Sequence, residues 1–109
     1  MLIKLAANIP TLILNPNPWR VRFTIQMQAE LVDANNTGKV FIGIGRQPVP
    51  TVGHAGQGEV LIQSAAIERP EKNRPLEKFE KAAIWATSDS ANQTIVVEEI
   101  IKKPEVAKE

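Results

Sequence analysis

The sequence predicts an all-β protein, an antiparallel β-sandwich or jelly-roll-like barrel of about six to eight short strands with at most one short helical turn. Three observations predict it. Apolar residues recur at every second position in one stretch after another, as in VRFTIQM and VFIGI. Clusters of proline, asparagine and glycine separate those stretches. No long segment carries the apolar period of an amphipathic helix. At 109 residues the chain is one domain with room for a modest core.

The elements follow in order. Residues 1–10, MLIKLAANIP, read as an N-terminal arm, residues 11–101 as the sandwich, and residues 102–109 as a flexible tail that lacks periodicity. TLIL (Thr11–Leu14) is a short strand ended by NPNP, because proline fixes φ and donates no hydrogen bond while asparagine favours turns. WRVRFTIQMQ, residues 19–28, places Val21, Phe23, Ile25 and Met27 on one face and Arg20, Arg22, Thr24, Gln26 and Gln28 on the other, a half-buried antiparallel strand. Asp33, Asn35, Asn36 and Gly38 make the following stretch a loop. In VFIGIG, Val40, Ile42 and Ile44 share one face, opposite Phe41, Gly43 and Gly45. Glycine in place of side chains along one face points to a bulge or to another backbone packed close against the strand.

Residues 59–64 form a further strand with Val60 and Ile62 inward, and residues 82–87 and 94–101 pair as a hairpin across SDSANQ. Ile84, Trp85, Ile95, Val97 and Ile101 join Phe23, Ile25 and Ile42 as expected core residues. Residues 68–81, ERPEKNRPLEKFEK, alternate in charge and read as a solvated loop, in which Leu76 and Phe79 are spaced to anchor one helical turn begun by Pro75.

Chemical motifs are sparse. The net charge of +1 gives no field that points to nucleic acid. Without cysteine there are no disulfides, thiolate metal sites or cysteine nucleophiles. His54 is the sole histidine, which rules out a two-histidine metal site, and its glycine-flanked loop suggests a surface position. The glycines at 43, 45, 53, 56 and 58 invite a phosphate-loop reading, but such a loop must open a helix, and here it opens a proline-rich segment and another strand. Glu98 and Glu99 are neighbours on a strand, so they face opposite ways and cannot act as an acid and base pair. No apolar run reaches the roughly 18 to 20 residues of a membrane span, and the first residues lack the apolar core and cleavage site of a secretory leader. The expectation is a non-enzymatic soluble protein without cofactor or metal, and with neither nucleic acid nor membrane as partner.

The series NPNPWRVRFTIQ, KVFIGIG, GQGEVLI, KAAIWATSD and TIVVEEI resembles the small β-sandwich proteins that decorate, or cement, the heads of tailed bacteriophages. The resemblance runs over most of residues 11–101 and rests on Arg20 to Ile25, Phe41 to Gly43, Gly58 and Glu59, Ile84 to Ala86, and Thr94 to Glu99. An asparagine expected near Met27 or Gln28 is absent, and residues 68–81 have no counterpart. The resemblance implies a virion structural protein on the capsid exterior, assembled in the host cytoplasm, with the major capsid protein as partner and a homotrimeric state. On that reading the partner-binding residues are Leu2, Ile3 and Leu5 of the arm, Trp19, and Arg69, Lys72 and Arg74 of the charged segment. The alternative is a carbohydrate- or receptor-binding module using Trp19 and the loops near His54 and Asn92.

Overall fold

The computed structural model describes residues 1–27, 38–49, 51, 59–61, 66–71, 74–91 and 93–103. The loop around Asn35, the glycine-flanked His54, Gln28, Ile62, Lys72, Asn92 and residues 104–109 lie outside that set, as does the Val60 side chain. The described residues form eight strands: β1 (Leu2–Leu5), β2 (Thr11–Leu14), β3 (Arg20–Gln26), β4 (Val40–Ile44), β5 (Glu59–Leu61), β6 (Ala66–Arg69), β7 (Ile84–Ser88) and β8 (Gln93–Ile101). A 3₁₀ turn, Lys78–Lys81, precedes β7.

Two four-stranded sheets result, ordered β1-β8-β3-β6 and β2-β7-β4-β5. Neighbouring strands within each are antiparallel. Both sheets contribute to one core, in which Phe23, Ile25, Ile95 and Val97 of the first meet Ile13, Ile42, Ile84 and Ala86 of the second. The expected all-β sandwich is therefore the observed architecture. Its alternating apolar strands each have one face to bury, and two facing sheets bury them together.

The glycines of β4 have the expected consequence. A Cβ on Gly43 would stand 1.9 Å from the Arg46 carbonyl oxygen and 2.8 Å from Pro48, so the chain folds back over the outer face of its own strand. Gly45, at φ +80, makes that reversal in the left-handed region.

The structure corrects several details of the sequence reading. Residues 2–5 are an edge strand rather than an arm: β1 runs antiparallel to β8 in the register Leu2↔Val96 to Leu5↔Gln93. Leu5 is buried in the core, with Ile3 packed against it. The chain then crosses to the second sheet through Asn8, at φ 59, whose amide donates to the Ser88 carbonyl at 2.7 Å.

Strand β3 carries a bulge. Its partner on β8 steps one residue, from Ile101 to Ile100, while β3 steps from Arg20 to Arg22. The extra residue reverses the face parity, so Val21 is exposed and Arg20 is fully buried, the opposite of the expected assignment. Strands β7 and β8 are not a hairpin but belong to different sheets. The corner between them is tied to the start of β4: the Lys39 amide donates to Asp89 Oδ1 at 2.9 Å and the Gly38 amide to Gln93 Oε1 at 2.8 Å. Trp85 is only half-buried, because it alternates with the inward Ile84 and Ala86, and Ile101 lies exposed where β8 runs past the core.

The charged segment is more ordered than a solvated loop. Its beginning is β6, paired with β3 in the register Phe23↔Arg69 to Gln26↔Ala66. Leu76 is buried, but the helical turn begins at Lys78 rather than Pro75, and Phe79 points outward.

Candidate functional site

The end of the sandwich where β3 begins and β8 finishes is organised by Arg20. The NPNP turn delivers this residue: Asn17 Oδ1 accepts from the Trp19 amide at 2.9 Å, and the Asn17 carbonyl accepts from the Arg20 amide at 3.2 Å. The bulge then turns the side chain inward, over the Phe23 ring at 5.8 Å from its centroid. The guanidinium donates through Nε to Glu99 Oε2 at 2.8 Å. Its Nη1 donates to the carbonyls of Glu80 and Ala82 at 2.9 and 3.0 Å, and Nη2 to that of Asn15 at 2.6 Å. A planar, multiply donating group is suited to joining three chain segments at once. Here it ties the turn after β2, the 3₁₀ turn and β8.

A second ionic cluster adjoins it. Glu80, 1% exposed, accepts a bidentate pair from Arg74 Nη1 and Nη2 at 2.7 and 3.1 Å, and a third bond from the Glu77 amide at 2.9 Å. The Arg74 hydrogen bonds lower the Glu80 carboxyl pKa below the ordinary value, against the opposing effect of burial and helped by the Glu77 amide. Arg69 pairs with Glu59, lies 3.4 Å from Glu71, and reaches Glu80 at 4.0 Å. Arg22 pairs with Glu68 across β3 and β6. These contacts are structural, since each cation is matched by a carboxylate of the same chain.

The outer surface of this end has a different character. Pro16, Pro18, Phe79 and Ala82 line a groove of about 730 Å³, with Lys78, Lys81 and Glu77 on its lining. A second groove of about 510 Å³ adjoins it through the shared Pro18 and Lys81, and is lined by Trp19, Val21, Lys102 and Lys103. Phe79 is 52% and Trp19 42% exposed. The Lys102 amide donates to the Trp19 carbonyl at 2.9 Å, which fixes the end of β8 beside the NPNP turn. Every ion pair formed among the described residues uses an arginine; Lys78, Lys81, Lys102 and Lys103 take part in none.

Comparison with protein-family models, with curated proteins and with solved structures returned no match. Among the described residues no group of three or more His, Asp or Glu is placed to hold a metal ion, and no helix is long and apolar enough to cross a membrane.

The residues singled out as partner-binding do not form one patch. Leu2, Ile3 and Leu5 lie on β1, at one edge of the first sheet, whereas Arg69 lies on β6 at the opposite edge. Leu2 is exposed, Ile3 half-buried and Leu5 buried. Arg69 and Arg74 converge on Glu80, Trp19 stands at the lysine-rich end, and Lys72 lies outside the described residues. Phe79 and the four lysines were missed as companions of Trp19. The only hint was the spacing of Lys78 and Lys81 around Phe79, because nothing local says that residues 102–103 return to residues 16–19.

Proposed function

We propose that the chain is a non-enzymatic capsid decoration protein that binds the outside of a phage head and cements neighbouring major capsid protein subunits, acting as a homotrimer. Beside the resemblance, the observation that carries this reading is the edge strand β1. It presents Leu2, 67% exposed, next to the exposed Met1, on a short strand held in register by β8. An exposed edge of this kind offers backbone pairing and apolar area to an edge on a partner, and a rigid sandwich loses little freedom on docking. Moderate contacts suffice for a cement protein, because several subunits bind together and raise the effective concentration.

The test is co-sedimentation with empty coat shells together with the mass of the protein in solution. The parent chain is expected to pellet with shells. Leu2→Lys, which adds a charge at an exposed position without touching the buried Leu5, is expected to weaken binding about tenfold, as loss of a central contact does. A parent that binds no shell overturns the assignment. Binding on a glycan array that Trp19→Ala removes would move it to a carbohydrate-binding module.

A further inference from the structure

At the lysine-rich end of the sandwich the capsid reading, which rests on β1, takes in Trp19 alone and gives Phe79 and the four lysines no role. The floor of this end is apolar, formed by Pro16, Pro18 and Phe79, and its border is cationic, with Lys78 and Lys81 on one groove and Lys102 and Lys103 on the adjoining one. Glu77 is the one carboxylate among the residues lining these two grooves. None of the four lysines has an ion-pair partner among the described residues, while the arginines beneath are committed to Glu80, Glu99 and their neighbours. The walls are held in place from inside: the Asn17 amide donates to the Lys81 carbonyl at 2.8 Å, and Arg20 clamps the Glu80 and Ala82 carbonyls.

We propose that this double groove docks an extended acidic segment of another protein. An aliphatic side chain of that segment seats on Phe79 and Pro18, and flanking carboxylates pair with Lys81, Lys78 and Lys102. Three features carry the assignment. Phe79 is exposed on the apolar lining of an open groove, where an anchoring side chain gains from leaving water. Four lysines on the two grooves, none of them ion-paired among the described residues, supply the complementary charge and the steering. A groove already braced by the Asn17 and Arg20 hydrogen bonds has little ordering cost on binding. A polynucleotide fits less well, because a formal charge of +1 over the whole chain provides no wide positive field for a phosphate backbone.

The experiment uses the intact chain and no capsid, so it stands or fails apart from the shell-binding assay. A labelled peptide of repeating Glu-Glu-Leu is titrated by fluorescence anisotropy, beside a Gln-Gln-Leu peptide and an oligothymidylate of similar length. The acidic peptide is expected to bind, with affinity falling severalfold from about 0.05 to about 0.5 M salt as the charges are screened. Phe79→Ala is expected to weaken it about tenfold, and Lys81→Glu with Lys102→Glu to abolish it. All three positions are at least half-exposed or carry no internal pair, and circular dichroism checks that these variants keep the fold. Equal binding of the Gln-Gln-Leu peptide, an acidic-peptide affinity indifferent to Phe79→Ala, tighter binding of the oligothymidylate, or no binding of the acidic peptide each overturns the proposal.

Discussion

Replacing Arg20 by methionine keeps most of the apolar stem over Phe23 and removes every donor of the guanidinium. Three carbonyls and the Glu99 carboxylate then lose their partner. Asn15 is exposed and Ala82 half-buried, so water reaches those two carbonyls, but the Glu80 carbonyl belongs to a residue that is 1% exposed and stays dry. Breaking a buried, hydrogen-bonded ion pair from one side costs about 3 to 5 kcal/mol, and partial rehydration puts Arg20→Met at the lower end, about 3 kcal/mol. That is a large share of the roughly 5 to 15 kcal/mol that holds a domain together, and corresponds to a melting temperature lower by about 12 °C or more. Glu99, with a side chain 24% exposed, contributes through one bond, so Glu99→Gln is expected to cost only about 1 kcal/mol. The double variant should then be hardly worse than Arg20→Met alone, because the two changes remove the same contact. Equilibrium urea unfolding of the parent, both single variants and the double variant measures all three quantities. An Arg20→Met protein within about 1 kcal/mol of the parent would refute the view that this side chain joins the three segments.

Ile25→Ala and Ile42→Ala, each at a fully buried position, are expected to cost about 2 to 5 kcal/mol in urea unfolding, and Trp85→Ala less than a fully buried aromatic would, because its side chain is only half covered. Gly43→Ala should destabilise by at least about 2 kcal/mol, since its new methyl meets the Arg46 backbone oxygen at 1.9 Å and a backbone cannot step aside as a flexible side chain does; an unchanged melting temperature would contradict the fold-back over β4. The lowered carboxyl pKa of Glu80 gives the folded state an advantage that is fully present above the ordinary glutamate value of 4.5 and is lost as pH falls through the lower folded value. Stability measured by thermal melts from neutral pH into that acidic range should fall more steeply for the parent than for Glu80→Gln.

The sequence alone was enough for the class of the fold and for most of the core. Strand periodicity depends only on which face of each segment is apolar, and a face that repeats every second residue, as at Phe23, Ile25 and Met27, has to be buried somewhere. The glycines of β4 were legible for the same local reason: a missing side chain at Gly43 marks where another backbone comes close. What periodicity does not contain is pairing. The stretches that became β7 and β8 each have one apolar face, and that pattern is the same whether a short polar connection closes a hairpin or turns a corner between sheets. Only the tertiary contacts of Lys39, Asp89 and Gln93 decide for the corner. The bulge in β3 is likewise non-local, because it is defined against Ile100 and Ile101 of another strand, and it alone exchanges the faces of Arg20 and Val21. Charge behaves in the same way. Arginine and lysine look interchangeable along residues 68–81, but register and burial give Arg69 and Arg74 to Glu80 and leave Lys78, exposed, and Lys81, half-buried, without an ion pair among the described residues. The closing of β3 against β8 then brings Lys102 and Lys103, more than twenty residues further on, to the same end of the molecule as Trp19.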